Sequence, residues 1–199
     1  MTGTAPGRLI VISGPSGSGK STLVREVLSR YPGQLELSIS ATTRAPRAGE
    51  REGVDYQFLS QEEFARRREQ GDFLECFEVY EGGHWYGTLW SAVAPSLAAG
   101  KSVVLEIDVQ GTLAVLERYP DALTIFVEPG SLDELERRLR RRGTESEQSI
   151  ERRLAGAKRE MAFAGRYRYR IVNDDLEAAI AALCRILTQN PEAPSCSKT

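Results

Sequence analysis

Apolar positions along this chain follow two alternating patterns. Leu9-Ile-Val-Ile-Ser13, Ser102-Val-Val-Leu-Glu-Ile-Asp108 and Leu123-Thr-Ile-Phe-Val127 are short, β-branched and almost continuously apolar, as strands buried on both faces are. Helical spacing separates them. It appears at Leu23, Val24, Val27 and Leu28, from Trp90 to Ala99 before Gly100, and from about Gln110 to Tyr119 before Pro120. Leu176, Ile180, Leu183 and Leu187 give a last helix one apolar face, Asp174-Asp175 caps it, and Arg170-Ile-Val-Asn173 before it predicts a further strand. Strands alternating with helices imply an α/β fold, a parallel sheet flanked by helices with ligands at the carboxyl ends of its strands.

Two stretches break that alternation. Leu35-Glu-Leu-Ser-Ile-Ser40 alternates like a half-buried strand, 41–55 is too rich in turn formers for a helix, and Tyr56-Gln-Phe-Leu59 resumes a strand pattern. Ser60-Gln-Glu-Glu63 has the form of a capping box and predicts a short helix stopped by Gly71. Phe73 to Tyr80 and His84 to Thr88 read as a hairpin closed by Glu81-Gly82-Gly83, so about 36–89 forms a small, mostly β lobe. The second break is a helix pair. Ser131-Leu-Asp-Glu134 caps a strongly basic helix ending at Gly143, and another helix runs from about Glu147 toward Ala164, so that about 130–165 reads as a mobile flap. The remaining core comprises about 8–35, 90–129 and 166–189, and 190–199 reads as a disordered tail.

Composition narrows the class without naming a reaction. In 199 residues, 41% hydrophobic and 27% charged content is that of an ordinary globular chain of one domain. A net charge of -2 argues against a dedicated nucleic-acid or anionic-membrane binder. No apolar run approaches the ~18 residues of a membrane span. The three cysteines, Cys76, Cys184 and Cys196, lack disulfide or metal-ligand spacing, which suits a reducing, cytoplasmic setting. Of the basic residues only Lys20, Lys101, Lys158 and Lys198 are lysines, a bias that suits bidentate phosphate binding and that genome composition also produces.

The chemistry begins at Gly14-Pro-Ser-Gly-Ser-Gly-Lys20-Ser21, which meets the P-loop pattern G-x-x-x-x-G-K-[ST] between a predicted strand and a predicted helix. The glycines let backbone N–H groups turn toward an anion at the helix N-terminus, Lys20 sets a cation against β and γ phosphates, and the Ser21 hydroxyl can hold Mg2+. A P-loop serves switches, motors and kinases alike, so the second substrate must be read elsewhere. Ser40-Ala-Thr-Thr-Arg44-Ala-Pro-Arg47-Ala-Gly-Glu50 with Gly53-Val-Asp-Tyr56 gathers guanidinium groups, hydroxyls and a phenol that would grip a phosphate dianion; the same composition suits a solvated loop. Glu106 and Asp108, at the end of a core strand, are placed to order the waters of a Mg2+ ion or are strand-end carboxylates without a ligand.

Four signatures together resemble the guanylate kinase family from Leu9 to about Leu187: the P-loop, the S-x-T-T-R-x-P-R-x-G-E…G-x-D-Y segment, Leu-Glu-Ile-Asp-Val-Gln-Gly111, and the Arg-Gly-Thr-Glu145…Arg153-Leu…Val-Asn-Asp174 region. The resemblance implies a P-loop NTPase-type sheet with a β lobe that binds GMP and a helical lid. It implies ATP-dependent phosphorylation of GMP, and of dGMP, to the diphosphate with release of ADP, using Mg2+. Gly14, Pro15, Ser16, Gly17, Ser18, Gly19, Lys20, Ser21 and Thr22 would hold ATP, and Asn173 its adenine, although an Asn before two Asp residues is equally a helix cap. Ser40, Arg44, Arg47, Tyr56 and Tyr86 would bind the GMP phosphate, while Glu75, Thr88 and Asp108 form the guanine pocket. Guanine offers donors at N1 and N2, so a carboxylate at Glu75 accepts both and meets a lone pair in adenine. Lys20, Arg44, Arg138, Arg142 and Arg153 would supply the cations of phosphoryl transfer, with Arg138 and Arg142 on one helix face.

Two features depart from the family pattern. The segment from Glu75 to Tyr86 is longer than its usual spacing, and Leu89 stands where serine is frequent. His84, the sole histidine, reads as a surface residue at the hairpin tip. Competing readings are a scaffold that keeps the fold without catalysis, a P-loop switch, and a kinase for another monophosphate. Intact Gly19, Lys20 and Ser21 oppose the first, and the separate phosphate cradle opposes the second.

Overall fold

In the computed structural model, which describes residues 7–79, 83–141 and 147–189, strand β1 (Leu9–Ser13) is buried at all five positions. Its side chains alternate between two cores. Ile10 and Ile12 pack with Leu23, Val24 and Val27 of α1 (Lys20–Arg30) and with Ile180, Leu183 and Leu187 of α7 (Leu176–Gln189). Leu9 and Val11 face Val93 and Leu97 of α3 (Trp90–Ala98) and Val115 of α4 (Val109–Arg118). A strand covered on both sides can expose no polar face, which is why Leu9 to Ile12 is an unbroken run of Leu, Ile and Val.

The sheet around β1 has the order β2-β7-β1-β8-β9, with β2 at Leu35–Leu37, β7 at Ser102–Glu106, β8 at Leu123–Glu128 and β9 at Tyr169–Val172. All of its pairings are parallel, so every strand delivers its carboxyl end to one edge. The expected strand over 35–40 is shorter than its alternation predicted. It forms hydrogen bonds to β7 in the parallel sheet, so Glu36 and Leu37, expected at the start of the β lobe, pair with the core sheet together with Leu35. Core strand β7 likewise ends at Glu106, because Asp108 is already the N-cap of α4 and accepts a hydrogen bond from Gly111 N at 2.8 Å.

A second sheet, β4-β3-β6-β5, holds the middle of the chain. It contains β3 (Ala41–Thr42), inside the stretch read as turns, β4 (Gln57–Phe58), β5 (Phe73–Val79) and β6 (His84–Leu89). Phe64 of α2 (Gln61–Glu69) packs with Ala41, Phe73 and Leu89 beneath it. Ser60 caps α2 by accepting from Glu63 N at 3.1 Å, but the Glu63 carboxylate takes Arg66 and Arg67, so only half of the capping box forms. Leu74 of β5 joins the Leu9–Val11 core, and Arg118 donates to Phe73 O at 2.6 Å, which ties this sheet to α4.

Helices α5 (Leu132–Arg141) and α6 (Glu147–Met161) pack through Leu135, Leu139, Ile150 and Ala157. Ser131 Oγ caps α5 through Glu134 N at 3.0 Å, and Asp175 caps α7 through Ala178 N at 2.7 Å. Helix α6 stops short of the expected Ala164, where a 3-10 turn over Ala164–Arg166 sets Tyr167 against Phe126. The 190–199 tail, the hairpin tip at Glu81 and Gly82, and the 142–146 link lie outside the described residues.

The hairpin leaves no room at Gly87. A Cβ there would lie 2.6 Å from Glu75 O and 2.7 Å from the Cβ of Cys76, the residue it pairs with, close to the irregular register between Phe73 and Glu75. Gly87→Ala is therefore expected to lower the unfolding free energy by about 1–3 kcal/mol in a urea titration. An unchanged midpoint would show that the strands separate more easily than this packing allows.

Candidate active site

Residues 14–19 form the turn between β1 and α1. Gly14, Gly17 and Gly19 all have positive φ, and a Cβ at Gly14 would overlap the Val127 carbonyl oxygen. The same addition at Gly19 would strike the Asn173 amide. Asn173 is buried beside the loop and donates from Nδ2 to Ser18 O at 2.7 Å, while its backbone N–H bonds Glu128 O at 2.8 Å. It is not a helix cap, since Asp175 performs that task.

Lys20 Nζ folds back onto Gly14 O at 2.5 Å and Pro15 O at 3.0 Å. Ser21 Oγ donates to Glu106 Oε1 at 2.6 Å, which joins α1 to the end of β7. From α6, Arg153 Nη1 reaches Ser16 Oγ at 2.7 Å. Gly14, Ser16, Lys20, Ser21 and Glu106 line a cavity of about 340 Å3 together with Gly17, Thr22, Ile107, Asp108 and Glu160. A hydroxyl and carboxylates facing one polar cavity are the hard oxygen donors that suit Mg2+. Among the described residues no three acidic, His or Cys side chains cluster tightly enough to cage a metal, so most ligands of such an ion would come from phosphate and water.

On the other side of Asn173, a groove of about 390 Å3 is lined by Gly17, Gly19, Thr22, Arg138, Arg141 and Leu176, among others. Arg138 donates to Glu134 Oε1 and to Asn173 O, each at 2.9 Å, so its guanidinium is held at the groove's rim. Arg142 lies outside the described residues.

A separate cavity of about 250 Å3 opens between the two sheets. Ser40, Tyr56, Glu75, Phe77, Tyr86 and Gly87 line it, and it shares Glu106, Ile107 and Asp108 with the P-loop cavity. The turn from β7 into α4 is thus common to both. Thr88 Oγ1 donates to Glu75 Oε1 at 2.7 Å, and burial raises the Glu75 pKa to about 7 against that bond, with the Asp108 charge adding to the rise. Tyr56 and Tyr86 meet edge to face at 5.9 Å. Arg44 stands behind them, its Nε donating to Tyr86 Oη at 3.1 Å and its fork to Glu50 at 2.9 and 3.0 Å. The Arg47 side chain, grouped with these by sequence, is exposed and does not line the cavity; its backbone joins the cluster through Glu50.

Two acidic residues escaped the sequence reading. Glu50 lies within the quoted arginine segment but was given no role, although its position after Pro46 and Gly49 announces a turn that folds it back on Arg44. Glu160 carries no motif at all. It faces the P-loop cavity from α6, where burial raises its pKa to about 7, Lys20 opposes the rise and Asp108 adds to it.

With two adjoining cavities in place, the likeness to known proteins becomes specific. A family model described as guanylate kinase matches residues 6–190. The guanylate kinase of Rhodopirellula baltica is 55% identical over 194 residues, 97% of this chain and 93% of that protein. The guanylate kinase of Gloeobacter violaceus is 49% identical over 191 residues, 94% of this chain and 91% of that one. The crystal structure of guanylate kinase from Anaplasma phagocytophilum superposes with a TM-score of 0.76 at 32% identity, covering 98% and 89% of the two chains. A family match over nearly the whole length, carried by relatives of this identity, shows that the chain belongs to the guanylate kinase family.

Proposed function

We propose that this protein transfers the γ-phosphoryl group of ATP to GMP, and to dGMP, releasing ADP and the nucleoside diphosphate. The observation that carries this reading is the junction of the P-loop cavity with the Glu75 cavity at Glu106–Asp108. One cavity suits a triphosphate and the other a purine with a phosphate beside it, so donor and acceptor meet at the shared turn.

In this reading the backbone N–H groups of residues 14 and 16–22 cradle the ATP phosphates, and Asn173 borders the groove for the adenine. Lys20 exchanges the carbonyls of Gly14 and Pro15 for phosphate oxygens. Ser21 directly, and Glu106 and Asp108 through water, would hold Mg2+, which would supply positive charge against the phosphates. Glu75 accepts from guanine N1 and N2, with Thr88 and Asp108 beside it, while Ser40, Arg44, Tyr56 and Tyr86 hold the acceptor phosphate. Arg47 joins by swinging inward from its exposed position. An oxygen of that phosphate then bonds to the γ phosphorus in line as the bond to the β,γ-bridging oxygen breaks and ADP leaves. Arg138, Arg142 and Arg153 act as cations of a lid formed by α5 and α6, which excludes water from the transfer. The half-buried free thiols of Cys76 and Cys184 fit a reducing cytoplasm.

ADP release from ATP and Mg2+ is expected with GMP but not with AMP, CMP or UMP, and Lys20→Ala should lower kcat by about 100-fold or more. GMP binding without turnover would replace this reading with the scaffold, and preference for AMP would overturn the base pocket.

Glu75 supplies a second test. Its pKa lies near 7 in the folded protein against an ordinary 4.5. The folded state therefore holds a proton through that window which the unfolded chain has lost, so this group makes the fold less stable as pH rises from 4.5 to about 7. Glu75→Gln should raise the unfolding free energy at pH 8 by on the order of 2 kcal/mol, with little gain at pH 5, as read from urea denaturation at both pH values. Guanine binding favours the carboxylate, so GMP affinity should fall as pH drops below 7 in the native protein, and this component of the pH dependence should vanish in Glu75→Gln. Equal pH dependence in the two proteins would remove Glu75 from base recognition.

A further inference from the structure

On the acceptor side, Glu50 makes contacts that restrict geometry from several directions. Its carboxylate accepts from Arg44 Nη1 at 3.0 Å and Nη2 at 2.9 Å, an end-on bidentate pair with side chains 11% and 20% exposed for Arg44 and Glu50. It also accepts from Arg47 N at 2.8 Å, while Glu50 N returns a bond to Arg47 O at 3.0 Å. One carboxylate thus closes the 47–50 turn and clamps the guanidinium behind it.

A guanidinium has five N–H groups in a fixed plane, so the occupied ones determine which edge remains. Nη1 donates to Ala45 O at 2.7 Å and to Glu50, and Nε donates to Tyr86 Oη at 3.1 Å. Nη2 gives Glu50 the hydrogen on the end-on face. Its other hydrogen lies on the side edge, parallel to the Nε–H bond. Because the Tyr86 oxygen accepts from Nε, its own proton is directed elsewhere, and Tyr86 lines the Glu75 cavity. The second Nη2–H, which has no acceptor among the described residues, and the Tyr86 O–H therefore form a neighbouring donor pair, at the edge of the cavity that Tyr86 lines and Arg44 backs.

We propose that Glu50 is the positioning residue of the acceptor-phosphate cradle: by occupying the end-on face of Arg44 it fixes the side edge of that guanidinium, together with the Tyr86 hydroxyl, as the pair that receives the phosphate. This rests on the reading that Arg44 and Tyr86 take the phosphate of the acceptor. Glu50 and the phosphate then occupy different edges of one cation, and the carboxylate stays in place when the ligand arrives. The alternative chemistry is a competitor, in which Glu50 fills the phosphate's own position and must leave.

The two differ in sign. Calorimetric titration of GMP and of guanosine into the intact protein, into Glu50→Gln, Glu50→Asp and Arg44→Ala, separates them. For a positioning carboxylate, Glu50→Gln weakens GMP about tenfold, the loss of one charge-assisted pair, and leaves guanosine unchanged because it has no phosphate. Glu50→Asp, which keeps the charge but loses the reach, weakens GMP in the same direction. Steady-state kinetics then show a raised KM for GMP, an unchanged KM for ATP and a kcat within about threefold of the native protein. Tighter or unchanged GMP binding in Glu50→Gln, while Arg44→Ala weakens it, overturns the proposal alone. Equal weakening of GMP and guanosine also overturns it, by showing a general disturbance of the lobe. If Arg44→Ala leaves GMP binding intact, the assignment of the cradle itself falls.

Discussion

The carbonyl oxygen of Val127 and the amide of Asn173 press against the P-loop where Gly14 and Gly19 have no side chain, and the site depends on that close approach. It seats the loop against the end of β8 and fixes the direction in which the backbone of residues 14–19 turns. Asn173 holds Ser18 O from one side and Arg153 holds the Ser16 hydroxyl from another. A Cβ at Gly17 would come within 2.8 Å of Leu135 on α5, so the helix pair rests on the same loop. Strands, loop and helix pair therefore meet at positions where any larger residue would force them apart.

Charge in this molecule is arranged around groups that the substrate-free protein already satisfies. Lys20 bonds carbonyls of its own loop, Arg44 bonds Glu50, Arg138 bonds Glu134 and Arg153 bonds Ser16. Each is a cation held in place by an internal acceptor, which in the proposed reaction would lower the entropy lost on binding a phosphate. The acidic residues balance them. Glu75 and Glu160 sit in cavities that disfavour their charged forms, so the protein stores unfavourable desolvation at the two cavities of the proposed site. Destabilised carboxylates of this kind are common at sites whose chemistry requires them, and they trade folding stability for recognition.

The Glu106–Asp108 turn joins the two halves physically. Glu106 receives the Ser21 hydroxyl, Asp108 caps α4, and Thr112 Oγ1 donates to Asp108 O while accepting from Tyr167 Oη. Tyr167 follows the exit from α6, so the helix pair, the P-loop and the Glu75 cavity share one hydrogen-bonded connection. A displacement of α6 would be felt at the turn that both cavities share.

The parallel core and the P-loop were legible in the chain because their physics is local in sequence. An unbroken β-branched run has to be covered on both faces, and a loop of glycines followed by Lys20 and Ser21 has to turn its amides outward before a helix. Caps at Ser60, Ser131 and Asp175 were equally readable, since each needs only a side chain three residues from its partner. Sheet membership was not: the alternation at Leu35–Leu37 suits a strand in either sheet, and only pairing with β7 places it in the core. The same limit hid Glu160, whose meaning comes from Lys20 and Asp108 on other elements, and it left the Arg47 side chain outside the cavity that its neighbour Arg44 supports. Local pattern specifies which elements form and what their ends can bind. Which side chains from distant elements share a cavity, and which edge of a guanidinium remains open there, is decided only when the chain closes on itself, because those relations depend on distances that sequence spacing does not contain.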